Sequence, residues 1–530
     1  MEYLYGASVQ GIQGFIFQTN KLKEIVGASE LVEQICTKEF EKFCGSIGIK
    51  TCSENFIIKA AGNIKYIFDS RADCEMVVRS FPKHIANLAP GITISQAVVT
   101  VSEKLNKDIS DLELKLKAQR SKVSMPIETG FMGLERSRRT GGVASIERSK
   151  IKGGKEMICD ATDVKRKNGD PNYQLKNKEL KETLFQKISG LSKVDPDQVP
   201  YNIEKIAISG NNNWLAVIHA DGNALGLLLQ ELGAKLHLES KEKVKSAFST
   251  FSKNLDEATK AAAQFAFKKM VDDKYCQTYP LRPVILGGDD LTIIIRADLA
   301  LEFTVAFLKK FEEETKHQFS FLKTEYQVDG FENGITACAG IAYIKATYPF
   351  HYAVNLAEKL TAKAKKFSKK DNQLSKIPPS SLAFYKVQSS FVEDMDDIIE
   401  KTLTAKVSNV SFDYGPYYID RLNGTPCIDE LNNKLQTLEK HVELDQSKGI
   451  SKLRQWISEL YKDKARADFM MERMEQVEGE KGLFKKLDLH NALEPISEQP
   501  SNPQNERASA MQPTQKTIVY DLIQLHSLKY

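Results

Sequence analysis

Two stretches of the sequence place carboxylates where apolar segments end. The first is Trp214-Leu-Ala-Val-Ile-His-Ala-Asp-Gly-Asn223, whose apolar run from Trp214 to Ile218 leads into Asp221, Gly222 and Asn223. The second is Pro283-Val-Ile-Leu-Gly-Gly-Asp-Asp-Leu-Thr-Ile-Ile-Ile295. Its two short β-branched runs bracket a Gly-Gly turn, which predicts a β-hairpin. Adjacent Asp289 and Asp290 repel each other, and that repulsion is useful when a divalent cation offsets it. Gly287 and Gly288 lack side chains and let a phosphate-bearing ligand come close to the backbone. Taken alone, Gly-Gly-Asp-Asp is equally a solvated turn. A strand that ends in Asp is, however, a common way to present a metal ligand. Asp221, Asp289 and Asp290 together give three carboxylates on two strand ends. Hard cations prefer oxygen, so this set suits Mg²⁺ or Mn²⁺ held against a nucleoside triphosphate. His219, two residues before Asp221, reads as packed in the sheet rather than as a catalyst.

Asp221-Gly222-Asn223 followed by Gly287-Gly288-Asp289-Asp290 resembles the palm domain of GGDEF-type nucleotide cyclases. It is more similar still to the large polymerase/cyclase subunit of type III CRISPR effector complexes. The resemblance implies that Asp221, Asp289 and Asp290 bind the metals and act in catalysis. It also implies that Gly222, Asn223, Gly287 and Gly288 line the nucleotide, and that ATP is the substrate for cyclic oligoadenylates. In the related cyclases a Lys on the closing helix neutralises the terminal phosphates, and the Ala357-Glu358…Ala364-Lys365 spacing puts Lys365 there. The plain alternative is a solvent-facing Lys beside Lys359, Lys363 and Lys366.

The same family resemblance reaches the start of the chain. Ile12-Gln-Gly-Phe-Ile-Phe17, with Lys21 to Val32, is similar to that family's first, degenerate palm. Asn55 to Phe68 repeats the hairpin plan, with Ala61-Gly62-Asn63 where the second unit has Gly-Gly-Asp-Asp. This weak duplication lacks carboxylates at the tip and at the first strand end, so the first copy cannot bind metal in the same way. It serves as a packing partner. The resemblance adds a cradle for a second ATP, with Ser29 and Asn63 touching the nucleotide.

The elements needed to position these residues define an α+β chain: two ferredoxin-like palm units followed by a helical region. Expected boundaries are 1–110 for the degenerate palm, 111–205 for a linker or helical insertion, and 206–390 for the carboxylate-bearing palm. Residues 391–493 follow as a helical domain, and 494–530 as a flexible linker with a docking tail. The second palm should run strand, helix, hairpin, helix, strand, helix, with the closing helix opened by Pro349. In the insertion, Arg136, Arg138 and Arg139 lie in a Gly-rich loop that either grips phosphates or is simply solvated. Glu147 to Asp170 is charge-rich and expected to be mobile, and Leu175 to Leu191 reads as a helix. Thr517 to Leu525 is apolar enough to dock back onto the body.

Composition bounds the rest. At 530 residues, 42% hydrophobic and 27% charged, the chain reads as a globular protein of two to four domains. The net charge of +4 carries no argument for nucleic acid. Eight scattered cysteines without Cys-x-x-Cys suggest reduced thiols in cytoplasm and no zinc ribbon. Nor is there a His-Asp dipeptide, so the nuclease domain common in the resembled family is not expected. No apolar run reaches membrane-spanning length. The resemblance leaves guide or target RNA and other CRISPR-type effector subunits as partners. Two other readings remain: a scaffold subunit with vestigial synthesis, and a GGDEF-like cyclic dinucleotide synthase, for which Asp290 stands in place of Glu.

Overall fold

The computed structural model describes residues 1–60, 62–122, 132–149, 154–170, 173, 182–207, 213–271, 277–371, 376–388, 395–422, 424–445, 448–478, 483–488, 492–496 and 513–529. Near the N-terminus, β-branched and aromatic residues alternate with turn residues and build four strands. These are β1 (Tyr3–Gln10), β2 (Phe56–Ala60), β3 (Asn63–Phe68) and β4 (Thr93–Thr100). A short helix α1 (Ile12–Ile16) and α2 (Leu22–Gln34) follow β1, and α3 (Arg71–Leu88) joins β3 to β4. The strand order is β2-β3-β1-β4, antiparallel throughout. An aromatic cluster of Tyr5, Phe40, Phe56, Tyr66, Phe68 and Phe81 fills the space between sheet and helices. Such rings bury large area in edge-to-face pairs.

Next come α4 (Leu105–Arg120) and a hairpin of β5 (Ile146–Ser149) and β6 (Lys155–Ile158). Helix α5 (Asp160–Asn168) and the short α6 (Leu184–Ser189) complete this region. The mobility expected for Glu147 to Asp170 is therefore corrected where the chain is described. Charge there is spent on pairing: Arg148 grips Asp163 through Nε at 2.7 Å and a second nitrogen at 2.9 Å. Glu24, 2% exposed, accepts from Arg139 and Arg166. Both arginines also reach Glu156. Arg139 is thus an internal ion-pair partner rather than a free phosphate grip. Of the helix expected over Leu175 to Leu191, residues 175–181 lie outside the described residues, and in the rest only α6 is helical, started by the Thr183 cap and ended at Gly190.

The second unit repeats the first on a larger scale. Strand β7 (Trp214–Gly222) leads through α7 (Leu225–Lys235) and α8 (Lys241–Met270) to the hairpin β8 (Leu281–Gly287) and β9 (Asp290–Arg296). Helix α9 (Ala297–Gln318), β10 (Ala337–Lys345), α10 (Phe350–Asp371) and β11 (Ser381–Lys386) complete it. Its sheet is ordered β12-β11-β10-β7-β9-β8, where β12 is Tyr417–Tyr418. The four strands β10-β7-β9-β8 keep the same connectivity as β4-β1-β3-β2 of the first sheet. β7, β9 and β10 are apolar on both faces, which suits a sheet covered by helices. Helix α10 lies close against β10. A Cβ at Gly340 would come within 2.0 Å of the Ala357 carbonyl oxygen.

Beyond residue 395 the chain is mainly helical, with α11 (Ile428–Asp445), α12 (Lys448–Leu460), α13 (Lys464–Glu478) and α14 (Val519–Lys529). α14 does dock back. Asp521 is buried and accepts from the Tyr417 hydroxyl at 2.6 Å. Of the segment expected as a linker, residues 497–512 lie outside the described residues, while Glu494–Pro495 and Gln515–Lys516 pair as short strands. Cys44, Cys52, Cys74, Cys159, Cys338 and Cys427 are free thiols. No helix among the described residues is long and apolar enough to cross a membrane.

Candidate active site

β7 and β9 are neighbours in antiparallel register, with Ala220 opposite Leu291. That register brings the C-terminal end of β7 beside the tip of the β8–β9 hairpin. One carboxylate oxygen each of Asp221, Asp289 and Asp290 lies within 4.8 Å of the others. Two glycines make this approach possible. Gly288 has φ +63°, a left-handed conformation that side chains disfavour. A Cβ on Gly222 would lie 3.0 Å from Asp289 Cβ and 2.8 Å from a Leu225 methyl. The hairpin tip is further held by α8: Thr259 donates to the Gly288 carbonyl, and the Gly288 amide donates to Asp256 at 3.3 Å.

Electrostatics mark the cluster. Burial and then the charge of Asp290, with Asp221 adding to it, push Asp289 up to about 8. Burial and Asp221 raise Asp290 to about 6, against a lowering pull from Lys365. Glu358 adds to that rise. Carboxylates under this mutual repulsion favour a cation. Mg²⁺–oxygen distances of about 2.1 Å put opposite ligands roughly 4.2 Å apart, so the three oxygens need only small rotamer changes to share an ion. The donor set fits a hard divalent cation.

Lys365 comes from α10, and its ammonium donates to Asp221 and to the Gly222 carbonyl, the latter at 2.8 Å. It faces the cluster, not solvent. Thr361, one turn earlier on the same helix face, donates to the His219 carbonyl at 3.0 Å and so seats α10 on β7. His219 packs in the sheet as expected. Its Nδ1 lies 3.0 Å from the Thr292 hydroxyl, and burial lowers its pKa.

Other expected nucleotide contacts fall elsewhere. Asn223 is 2% exposed, and its amide donates to Thr336 at 3.0 Å and Cys338 at 3.3 Å. In this conformation it shapes the turn after β7 and does not face a ligand. Ser29 is also 2% exposed, and its hydroxyl donates to Ile25 within α2 at 2.9 Å. A residue on the inner face of a helix, closed by its own backbone, offers nothing to a nucleotide. Asn63 starts β3, opposite Ser8 and Ala60, at the tip where the first-unit plan requires it. Sequence reasoning gave no role to Asp256, Thr259 or Glu358. The first two sit in a long Ala-rich helix with nothing to distinguish them. Glu358 was visible in the Ala357-Glu358…Ala364-Lys365 spacing, seven residues from Lys365.

Comparison with known proteins agrees with this geometry. Residues 214–374 match the family model of the Cas10/Cmr2 second palm domain. The chain therefore carries a palm domain of the Cas10/Cmr2 type. Among solved structures it is similar to a chain of the Csm1-Csm4 cassette in complex with pppApA, at 14% identity and TM-score 0.50. That alignment covers 100% of this chain and 69% of the other. The cassette in complex with cA3 aligns at 14% identity and TM-score 0.49, covering 100% and 69% of the two chains. The cassette in complex with AMPPNP aligns at 15% identity and TM-score 0.43 over 69% of this chain. There the match spans 53% of the longer chain. At these identities the shared feature is the fold. No curated protein sequence matches the chain.

Proposed function

We propose that this protein is a metal-dependent nucleotidyltransferase that makes cyclic oligoadenylate-type messengers from ATP, as a Cas10-type subunit in CRISPR-like antiviral defence. One observation carries the reading: three carboxylates from two adjacent strand ends converge, with a lysine against them, on a palm sheet. The proteins of similar fold support it, since their structures hold AMPPNP, pppApA and cA3. Other effector subunits and RNA would be its partners in that setting.

Asp221, Asp289 and Asp290 would hold Mg²⁺ or Mn²⁺. When bound, such ions lower the pKa of an attacking ribose hydroxyl and stabilise departing pyrophosphate. The chain's own contribution is placement. Gly222 lets the end of β7 lie against Asp289, and Gly288 supplies the left-handed turn at the hairpin tip. Thr259 and Asp256 hold the hairpin tip still. Lys365 pairs with Asp221 until a phosphate and a metal compete for the two partners, and then neutralises the terminal phosphates.

The test is product analysis after incubation with each NTP and Mg²⁺ or Mn²⁺, beside the double variant Asp289→Ala/Asp290→Ala. A cyclic or linear oligoadenylate from wild type alone is expected. Metal-dependent ATP binding that survives the double substitution would overturn the metal-site assignment.

A further inference from the structure

Glu358 stands on α10 two turns before Lys365, on the helix face that Thr361 seats against β7. From there its charge reaches Asp290. Its carboxylate is also held from the other palm: Gln13 of α1 donates its side-chain amide to Glu358 Oε1. Gln13 itself stands on a fixed element. Lys165 of α5, 2% exposed, donates to the Phe15 carbonyl at 2.6 Å and to Gln18 at 3.1 Å. The same ammonium lies 3.9 Å from the Phe15 ring centre. A second bond ties the units at this seam, from the Phe350 amide at the start of α10 to Asn20 at 3.1 Å. The helix that carries Lys365 is thus fastened at its N-terminal half to the first unit, beside the carboxylate cluster.

We propose that Gln13 and Glu358 form a positioning contact that sets the first palm against the carboxylates of the second. This rests on the synthesis reading, in which the attacking hydroxyl and the attacked triphosphate must be held in line across the two units. Neither residue need touch a reacting atom. An ångström of misplacement between reacting partners costs rate even when each binds normally.

The test compares Gln13→Ala, which removes the hydrogen bond, Glu358→Gln, which keeps an acceptor but removes its charge, and the exchanged pair Gln13→Glu/Glu358→Gln, which restores the charged bond with donor and acceptor swapped. Measured for each are kcat and KM for ATP, Mn²⁺ affinity, and amide hydrogen exchange over α1 and α10 without nucleotide. We expect each single substitution to lower kcat about tenfold, on the scale of one charge-assisted hydrogen bond. KM and Mn²⁺ affinity should stay within about twofold, exchange at the α1–α10 seam should rise, and the exchanged pair should restore most of the rate and the protection. A Gln13→Ala variant equal to wild type in rate and exchange would overturn the proposal. So would an exchanged pair no better than Glu358→Gln with weakened Mn²⁺ binding, because Glu358 would then act on the metal. If wild type makes no product, the synthesis reading fails, and unchanged exchange in Gln13→Ala would separately show that the contact holds nothing.

Discussion

The carboxylates of Asp289 and Asp290 are held protonated more readily than free ones, and that has consequences of opposite sign for stability and for metal binding. A carboxyl with a raised folded pKa binds its proton more tightly folded than unfolded. Its stabilising effect is full below the unfolded value near 4 and is lost as pH rises through about 6 for Asp290 and about 8 for Asp289. Metal-free protein should therefore lose thermal stability between pH 5 and pH 8, and saturating Mg²⁺ should reverse the trend. Thermal melts over that range, with and without the ion, measure both. Cation binding displaces these protons, so Mn²⁺ affinity should climb from pH 6 to pH 8 and then level off. Asp290→Asn should raise the metal-free melting temperature by removing repulsion, while abolishing product and the Mg²⁺ shift together. Lys365→Met leaves Asp221 without its ammonium partner. It should cost about 1–3 kcal/mol of stability and lower kcat/KM for ATP at least tenfold, checked by denaturant melts and steady-state kinetics.

At the scale of elements, the contact of α10 with β10 is the tightest constraint near the site. A Cβ at Gly340 would lie 2.0 Å from the Ala357 carbonyl and 2.7 Å from the Thr361 amide, both backbone. Gly340→Ala must push the helix off the strand, at a cost of about 3 kcal/mol or more. It should also displace Lys365 and reduce synthesis further than the stability loss alone explains. Melts set beside activity at 10 °C, where the variant stays folded, check this. The strands and helices of both palms were legible in the sequence because their apolar periods are long and end in Gly, Pro or Asn. The hairpin at Gly287-Gly288 and the closing helix after Pro349 are examples, each placed within a few residues. The carboxylate trio was legible because Asp221 closes one apolar strand run and Asp289 and Asp290 follow the Gly-Gly turn of the next hairpin. The roles of Ser29 and Asn223 were not, since their burial depends on which helix face or turn points inward. Nor were Thr259 and Asp256, whose meaning comes only from the fold that lays α8 under the Gly288 turn.

For the molecule as a whole, the two sheets share one connectivity but have unequal chemistry. The first retains the plan of strand, helix and hairpin without any acid at its tip, and the second keeps all three. The α5 region was the least readable part of the sequence, because its order comes from partners far away in the chain. Lys23 with Asp170 at 2.6 Å and Arg166 with Glu24 at 2.7 Å are such pairs. The C-terminal helix is fixed in the same long-range way. Removing residues 517–530 would take Leu522 and Leu525 out of the core they fill and strand Tyr417 without Asp521. The shortened chain should melt several degrees lower or aggregate, as thermal scans and gel filtration would show.

Gly27 and Gly169 give one more consequence. A Cβ on Gly27 would lie 1.8 Å from the Lys165 carbonyl, and one on Gly169 would lie 1.8 Å from the Lys23 carbonyl. α2 and the end of α5 therefore meet main chain to main chain, each at a glycine of the other. Sliding by a single residue in either direction would drive a side chain into a peptide group. Packed surfaces of this kind have discrete seats and no continuous travel. Any push delivered to the inserted region, by a partner or by a ligand, must then carry the first palm with it as one piece. The displacement would emerge where that palm meets α10.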